Sequence, residues 1–410
     1  LALAHPVLRT AHADTRPTSA DVTPKSPAPA RYVRSLARTP SAYDPKKNGI
    51  PTDLLLGDLL FHSPLVLGPK ARELALSCNG CHPNGAAHTT LTLGDLSNKP
   101  GNVDLTTGFF RAGADNHASD FRSIPSLRGA RYTAPYGHEG LNASLSESVD
   151  QHVTASFGGA PLPRAQLMAL VRYVQELDFV PNGNLDVHGR ILARAGEAAR
   201  RGEAQFDKPR PQFAGLSCSG CHPASSMFRD GHSHRVGSGG GAGTPVGAID
   251  DAFDTPTLLG TAETAPYFHD GRFATLSDVV GFFDQSYGLG LQADEKRDLV
   301  AYLEAVGAVD LRNDARSNTQ KMQDTFIYLE LLVAGDAMDD RSVWSMALDA
   351  AIAELARPQR PARLADRVLS DEVQLKSLGQ RVRSGATLSG MRPEVAELSR
   401  ELWRLAAEWN

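Results

Sequence analysis

Cys78-Asn79-Gly80-Cys81-His82 decides how this chain is read, together with its second copy, Cys218-Ser219-Gly220-Cys221-His222. Each has the form C-x-x-C-H. That pattern is the attachment site of a c-type haem: two thiols form thioethers with the haem vinyl groups, and the histidine becomes the proximal iron ligand. The chain has four cysteines, and all four fall in the two motifs. Two structural disulfides, a redox dithiol and a split zinc site compete with this reading. None of them requires a histidine directly after the second cysteine, twice. We therefore expect two covalently bound haems c, held by Cys78 and Cys81 and by Cys218 and Cys221, with His82 and His222 beneath the irons.

An internal repeat surrounds the motifs. After the first come Pro125-Ser126-Leu127-Arg128-Gly129, Ala134-Pro135-Tyr136-Gly137-His138-Glu139-Gly140 and Ser144-Leu145-Ser146-Glu147-Ser148-Val149. After the second come Pro256-Thr257-Leu258-Leu259-Gly260, Ala265-Pro266-Tyr267-Phe268-His269-Asp270-Gly271 and Thr275-Leu276-Ser277-Asp278-Val279-Val280. All three blocks share an offset of 131 positions, and an apolar helix (170–177, then 299–306) closes each copy at an offset of 129. The expected fold is mainly α: two tandem cytochrome-c-like haem domains, 51–185 and 186–310, plus a C-terminal helical extension. The haem supplies much of each core, which suits a hydrophobic content of 41%.

Composition narrows the function. A net charge of -5 with 22% charged residues points away from nucleic acid. No apolar run reaches the length of a membrane span. Haem attachment of this kind implies export, so a periplasmic or exported protein is expected. Leu1 to Ala13 ends in Ala11-His12-Ala13, a small-x-small pattern that fits either a secretory-signal remnant or a trimmed N-terminus.

Residues 1–50 read as an extended arm, rich in Pro, Arg, Ser and Thr. Regular structure is expected from near Asp53, with His62 as a packed helix-end histidine. A helix and linker should cover Ile191 to Phe213. The glycine-rich stretch from Val236 to Gly243 lacks the Lys-Ser/Thr of a phosphate loop and reads as a loop over the second haem. From 311 to 410 the pattern is all-helical. Trp344, Leu348, Ile352 and Leu355 keep helical spacing, as do Val395, Leu398, Leu402, Leu405 and Trp409, and Pro358 and Pro361 fall between. This extension is either a self-contained cap or a surface for a protein partner or self-association.

Laid out as two copies, the sequence resembles the bacterial di-haem cytochrome c peroxidase superfamily. Its Tyr-Phe-His-Asp-Gly signature stands intact at Tyr267 to Gly271 and altered at Tyr136 to Gly140. The resemblance covers about Leu54 to Val309. It implies two haem domains, one six-coordinate and moving electrons, the other reacting with hydrogen peroxide. Enzymes that mature a tryptophan-derived quinone and rubber oxygenases also belong there, so membership leaves the substrate open.

In the family's peroxidases the electron-transfer haem takes a methionine fourteen residues after the signature histidine. The same step reaches His152 from His138 and Phe283 from His269. The resemblance thus implies a bis-histidine first haem, His82 with His152. Phenylalanine cannot bind iron, so the second haem has three options: an open distal face, Tyr287 one helical turn on, or His269. The Gln and Glu that assist O–O cleavage in the family's N-terminal domain are Ser148 and Gly158 here, and the tryptophan between the haems is His138.

Two functions follow. As a peroxidase, the chain would reduce hydrogen peroxide at haem 2, with proton transfer by His269, Glu263, Gln285 or Tyr287 and electrons relayed through haem 1. The donor would be a small cytochrome or a copper protein. The resemblance also implies calcium between the domains, on the carbonyls of Thr264 and Pro266. The alternative is a non-catalytic di-haem electron-transfer subunit of a larger redox complex. The missing Gln, Glu and Trp favour that reading, and Phe283 opposes it.

Overall fold

The computed structural model describes residues 51–113, 115–236, 252–309, 318–333, 340–356 and 361–409. The expected arm over 1–50, the glycine-rich stretch from 237 and Pro358 lie outside them. Among the described residues the backbone is overwhelmingly α-helical, with two short antiparallel hairpins. The helices begin with α1 (Thr52–His62), α2 (Pro69–Glu73), α3 (Cys78–Cys81), α4 (Leu145–Gln151) and α5 (Arg164–Glu176). Next come α6 (Glu197–Phe206), α7 (Cys218–Cys221), α8 (Leu276–Tyr287) and α9 (Ala293–Gly307). The last five are α10 (Asn318–Phe326), α11 (Tyr328–Val333), α12 (Arg341–Leu355), α13 (Ala365–Arg383) and α14 (Leu388–Ala407).

The described residues divide into two compact units. One holds residues 67–161 and 174–309; the other holds 51–66, 162–173 and those from 318 onward. In the second unit α1 is apolar almost all round. Leu54, Leu55, Leu56, Leu59, Leu60 and Phe61 are all buried, so neighbours must cover it on every side. Helix α5 crosses it at Gly57, where a Cβ would run into the Ala169 carbonyl. Helices α11 and α12 also pack on α1, and Gln166 of α5 donates to Asp340, the N-cap of α12, at 2.7 Å. The C-terminal helices therefore share one core with α1. Helix α13 was not legible as a separate element, because its buried stripe of Val368, Leu375, Leu378 and Val382 is interrupted by Asp371.

In the first unit the repeat recurs in three dimensions. Strands β1 (Asn102–Val103) and β2 (Arg122–Ser123) form one hairpin, and β3 (Ser233–His234) and β4 (Phe253–Asp254) form the other. Their registers match at the same offset of 131 positions: Asn102 faces Ser123, and Ser233 faces Asp254. Two-residue strands carry no alternation, which is why the sequence did not signal them. Tyr136 Oη donates to Ala130 O, and Tyr267 Oη to Thr261 O, both at 3.1 Å. Ser144 caps α4, and a Thr275–Asp278 capping box starts α8. Helix α6, within the stretch expected to be a helix and linker, crosses α9 at Gly202, where a Cβ would meet the Asp298 carbonyl. Arg201 grips Asp298 with two bonds, of 2.8 and 2.7 Å. Leu185, Phe206, Phe228, Leu299, Tyr302 and Val306 fill the core beside them.

The two copies differ at one helix. Helix α8 stays α-helical to Tyr287, whereas α4 widens at His152 into a π turn over His152–Ser156. There the Phe157 N–H donates to His152 O at 3.2 Å, an i to i+5 bond. Such turns cluster at functional sites.

Candidate haem-attachment sites

Each C-x-x-C-H motif folds as a single helical turn, α3 or α7, followed directly by its histidine. The His82 N–H donates to Cys78 O at 2.8 Å, and the His222 N–H to Cys218 O at 3.0 Å. The side chains behave alike in both copies. His82 Nδ1 bonds to Pro125 O at 2.9 Å, and His222 Nδ1 to Phe228 O at 2.7 Å. A carbonyl can only accept, so Nδ1 carries the proton and Nε2 keeps its lone pair. This is how proteins orient an imidazole toward a metal. Burial lowers both histidines, His82 to about 3.

The four cysteines are free thiols, with no disulfide among them. Burial pushes Cys78 and Cys81 up to about 12 and Cys218 to about 11. Redox dithiols show the opposite shift, because their attacking sulfur must ionise. Paired thiols directly before an imidazole whose Nδ1–H is held by a carbonyl fit the donor set of haem c.

His152 comes close to His82 in the first copy: the charge of one would disfavour the charge of the other. In the second copy Phe283 stands at the matching position. Its ring lies parallel to that of Tyr287, with centroids 6.2 Å apart. Tyr287 is buried, its hydroxyl has no hydrogen-bond partner, and burial raises it to about 12. Cys221 is close enough to Tyr287 to add to that shift. His269 lies elsewhere, buried and stacked on Phe253 at 3.9 Å, with Nδ1 unsatisfied and burial lowering it to about 4. Glu263 ends a short 3-10 turn, and Gln285 lies on α8; both are exposed. The structure thus groups Tyr287 with Phe283 and the second motif, apart from the exposed Glu263 and Gln285. Thr264 and Pro266 flank Ala265, whose bond to Pro266 is cis, as is Ala134–Pro135. His62 ends α1 with Nδ1 3.0 Å from Asp58 O.

Sequence reasoning missed two features. The first is a seam between the copies. The Ser123 N–H donates to His269 O at 2.8 Å, and the Asp254 N–H to His138 O at 2.9 Å. Arg229, 4% exposed, donates to Ala134 O at 2.6 Å and to Asp254 Oδ2 at 2.7 Å. His138 Nε2 meets Ser123 O at 3.1 Å. The second feature is a pair beside the second motif: His234 Nε2 lies 2.6 Å from Asp230 Oδ2. Cys221, Asp230 and His234 each place one atom within 4.8 Å of the others. The bond to Asp230 pushes His234 up to about 10. The matching hairpin position in the first copy is Val103, so the repeat itself carried the signal.

No family model matches the chain. Hydrazine synthase subunit gamma of Kuenenia stuttgartiensis is 26% identical over 251 residues, 49% of this chain and 69% of that protein. Cytochrome-c peroxidase IdrP2 of Denitromonas iodatirespirans is 44% identical over 66 residues, 14% of this chain. IdrP1 of Pseudomonas sp. (strain SCT) is 42% identical over 65 residues. The chain spans only 18% and 17% of those two peroxidases. The link to the superfamily of di-haem peroxidases and hydrazine synthase is distant and of low identity. Among solved structures, Kuenenia stuttgartiensis hydrazine synthase pressurized with xenon aligns with a TM-score of 0.45 at 23% identity, over 62% of this chain and 88% of that one. A MauG-like protein associated with microbial copper homeostasis aligns at 0.46 and 19%, over 63% and 89%. Among the described residues no helix is long and apolar enough to cross a membrane.

Proposed function

We propose that the chain is a di-haem c-type cytochrome that carries electrons as a subunit of a larger redox assembly. One observation carries the reading: two imidazoles, each directly after a pair of thiols and each donating its Nδ1–H to a backbone carbonyl, on two copies joined by reciprocal hydrogen bonds. The two cytochrome-c-like haem domains lie within 51–185 and 186–310, and the helical extension, 311–410, shares its core with α1 and the start of α5. When bound, each haem supplies a one-electron iron couple. Pro125 and Phe228 orient the proximal rings through their carbonyls. His152 would supply a second nitrogen ligand to the first haem, and the reciprocal hydrogen bonds of the seam tie the two copies together. The likeness to a protein named as a subunit, across 251 residues, supports a place in an assembly. A small cytochrome or copper protein is the proposed donor, and the setting is periplasmic or exported.

A second reading is peroxide reduction at haem 2. It is favoured by Phe283, which cannot ligate, and by the buried free hydroxyl of Tyr287. In that reading Tyr287 is the group placed to hold or move a proton at the second face, and His269 acts from the seam. A structural calcium on the carbonyls of Thr264 and Pro266 belongs to the same proposal, and a chelator that lowers the melting temperature would reveal it.

Low-temperature EPR on the ferric protein, repeated at half-reduction, tests both. A low-spin signal from the first haem that persists, with no peroxide turnover by a reduced small cytochrome, supports the electron carrier. One low-spin and one high-spin signal, with turnover of peroxide by a reduced small cytochrome, would move the assignment to the peroxidase.

A further inference from the structure

The second copy departs from the first in one concentrated way. Gly137, Asn142, Gln151 and His152 are replaced, 131 positions on, by Phe268, Phe273, Phe282 and Phe283. The new rings touch one another. Phe268 lies 4.9 Å from Phe273, 5.1 Å from Phe282 and 6.1 Å from Phe283, centroid to centroid. Tyr287 extends the group from Phe283 and meets Phe213 edge-on at 4.6 Å.

Phe268 holds this group together at a conformational penalty. Its φ is +71°, in the left-handed region that crowds any Cβ. The first copy has glycine there, Gly137, with φ +87°. The strained peptide is clamped: Ser123 Oγ donates to Phe268 O at 2.7 Å, and the Gly271 N–H donates to the same oxygen at 3.1 Å. A bulky residue kept where glycine would sit without strain marks a use for its ring.

We propose that Phe268 sets an aromatic wall on the second face of haem 2, admitting only uncharged ligands of two or three heavy atoms, with the Tyr287 hydroxyl as their polar contact. This rests on the reading that Cys218, Cys221 and His222 hold a haem. Phe283 stands at the repeat position of His152, which lies near His82, and Cys221 lies near Tyr287, one turn on from Phe283, so the wall belongs beside the second motif. Four phenyl rings give an ion nothing to replace its water, so charged ligands are excluded by desolvation. Larger ligands are excluded by the packed rings, which Phe268 keeps from swinging apart. The buried Tyr287 Oη has no other partner and is free to donate one hydrogen bond.

The test uses the full haem-loaded chain, with covalent haems counted by intact mass. Carbon monoxide should bind the reduced protein, and Tyr287→Phe should keep that binding but shift the infrared CO stretch. Imidazole should leave the ferric wild type unchanged and bind Phe268→Gly at least about tenfold more tightly. Phe283→Ala opens the same wall without touching the strained backbone and should also admit imidazole. Equal imidazole binding by wild type and both variants would overturn the proposal. So would two attached haems with no CO binding, or an unmoved CO stretch in Tyr287→Phe. Fewer than two attached haems would instead overturn the functional reading beneath it.

Discussion

The backbone N–H of Ser123 donates to the carbonyl of His269 at 2.8 Å, and the repeat returns the gesture from Asp254 to His138 at 2.9 Å. The two signature histidines are thus held by the opposite copy through backbone groups. Arg229 reinforces one side, bridging Ala134 O and the Asp254 carboxylate while almost fully buried. Arg229→Met should therefore destabilise the chain by about 3–5 kcal/mol, because it removes the nearly buried guanidinium's hydrogen bonds to Ala134 O and to the Asp254 carboxylate. Chemical denaturation of the haem-loaded protein measures this, and a loss under about 1 kcal/mol would show that the seam does not depend on that pair.

His152 begins a π turn and lies near His82. His152→Ala should abolish one low-spin EPR signal while leaving two covalent haems by mass. An unchanged spectrum would remove His152 from the iron.

Two helix crossings depend on a missing Cβ. Gly57→Ala and Gly202→Ala should each lower stability by about 1–3 kcal/mol, since a backbone carbonyl must yield. Gly390, in α14, has open space around its Cβ position. Gly390→Ala should raise stability by roughly 0.5–1 kcal/mol. Thermal melts that fail to separate the signs would refute the crossing argument.

Asp371 sits in the core of the C-terminal helices, 1% exposed, and burial raises it from 3.8 to about 6, with Glu401 adding to the shift. Between about pH 4 and 6 the folded chain keeps a proton that the unfolded chain has lost. Stability should therefore fall as pH rises through that window and then level, by on the order of 2–3 kcal/mol. Asp371→Asn should flatten this limb of the melting-temperature profile. A wild-type curve already flat from pH 4 to 7 would count against the buried acid.

What the sequence determined alone was local chemistry. The spacing of two thiols and an imidazole is written in five consecutive residues, and the repeat that frames each motif is visible as text. Helices such as α12 and α14 were legible because a buried stripe at a 3.6-residue period needs no partner to be recognised. Tertiary structure decided the rest. The hairpins are too short for any period, and the seam is made of N–H and C=O groups that every residue carries. Helix α1 is apolar on all faces, and only the packing of α5, α11 and α12 around it shows why. The meaning of Phe268 also waited for the fold, because its strain lies in its backbone angles, and the carbonyl of that peptide is held by Ser123, 145 residues away along the chain.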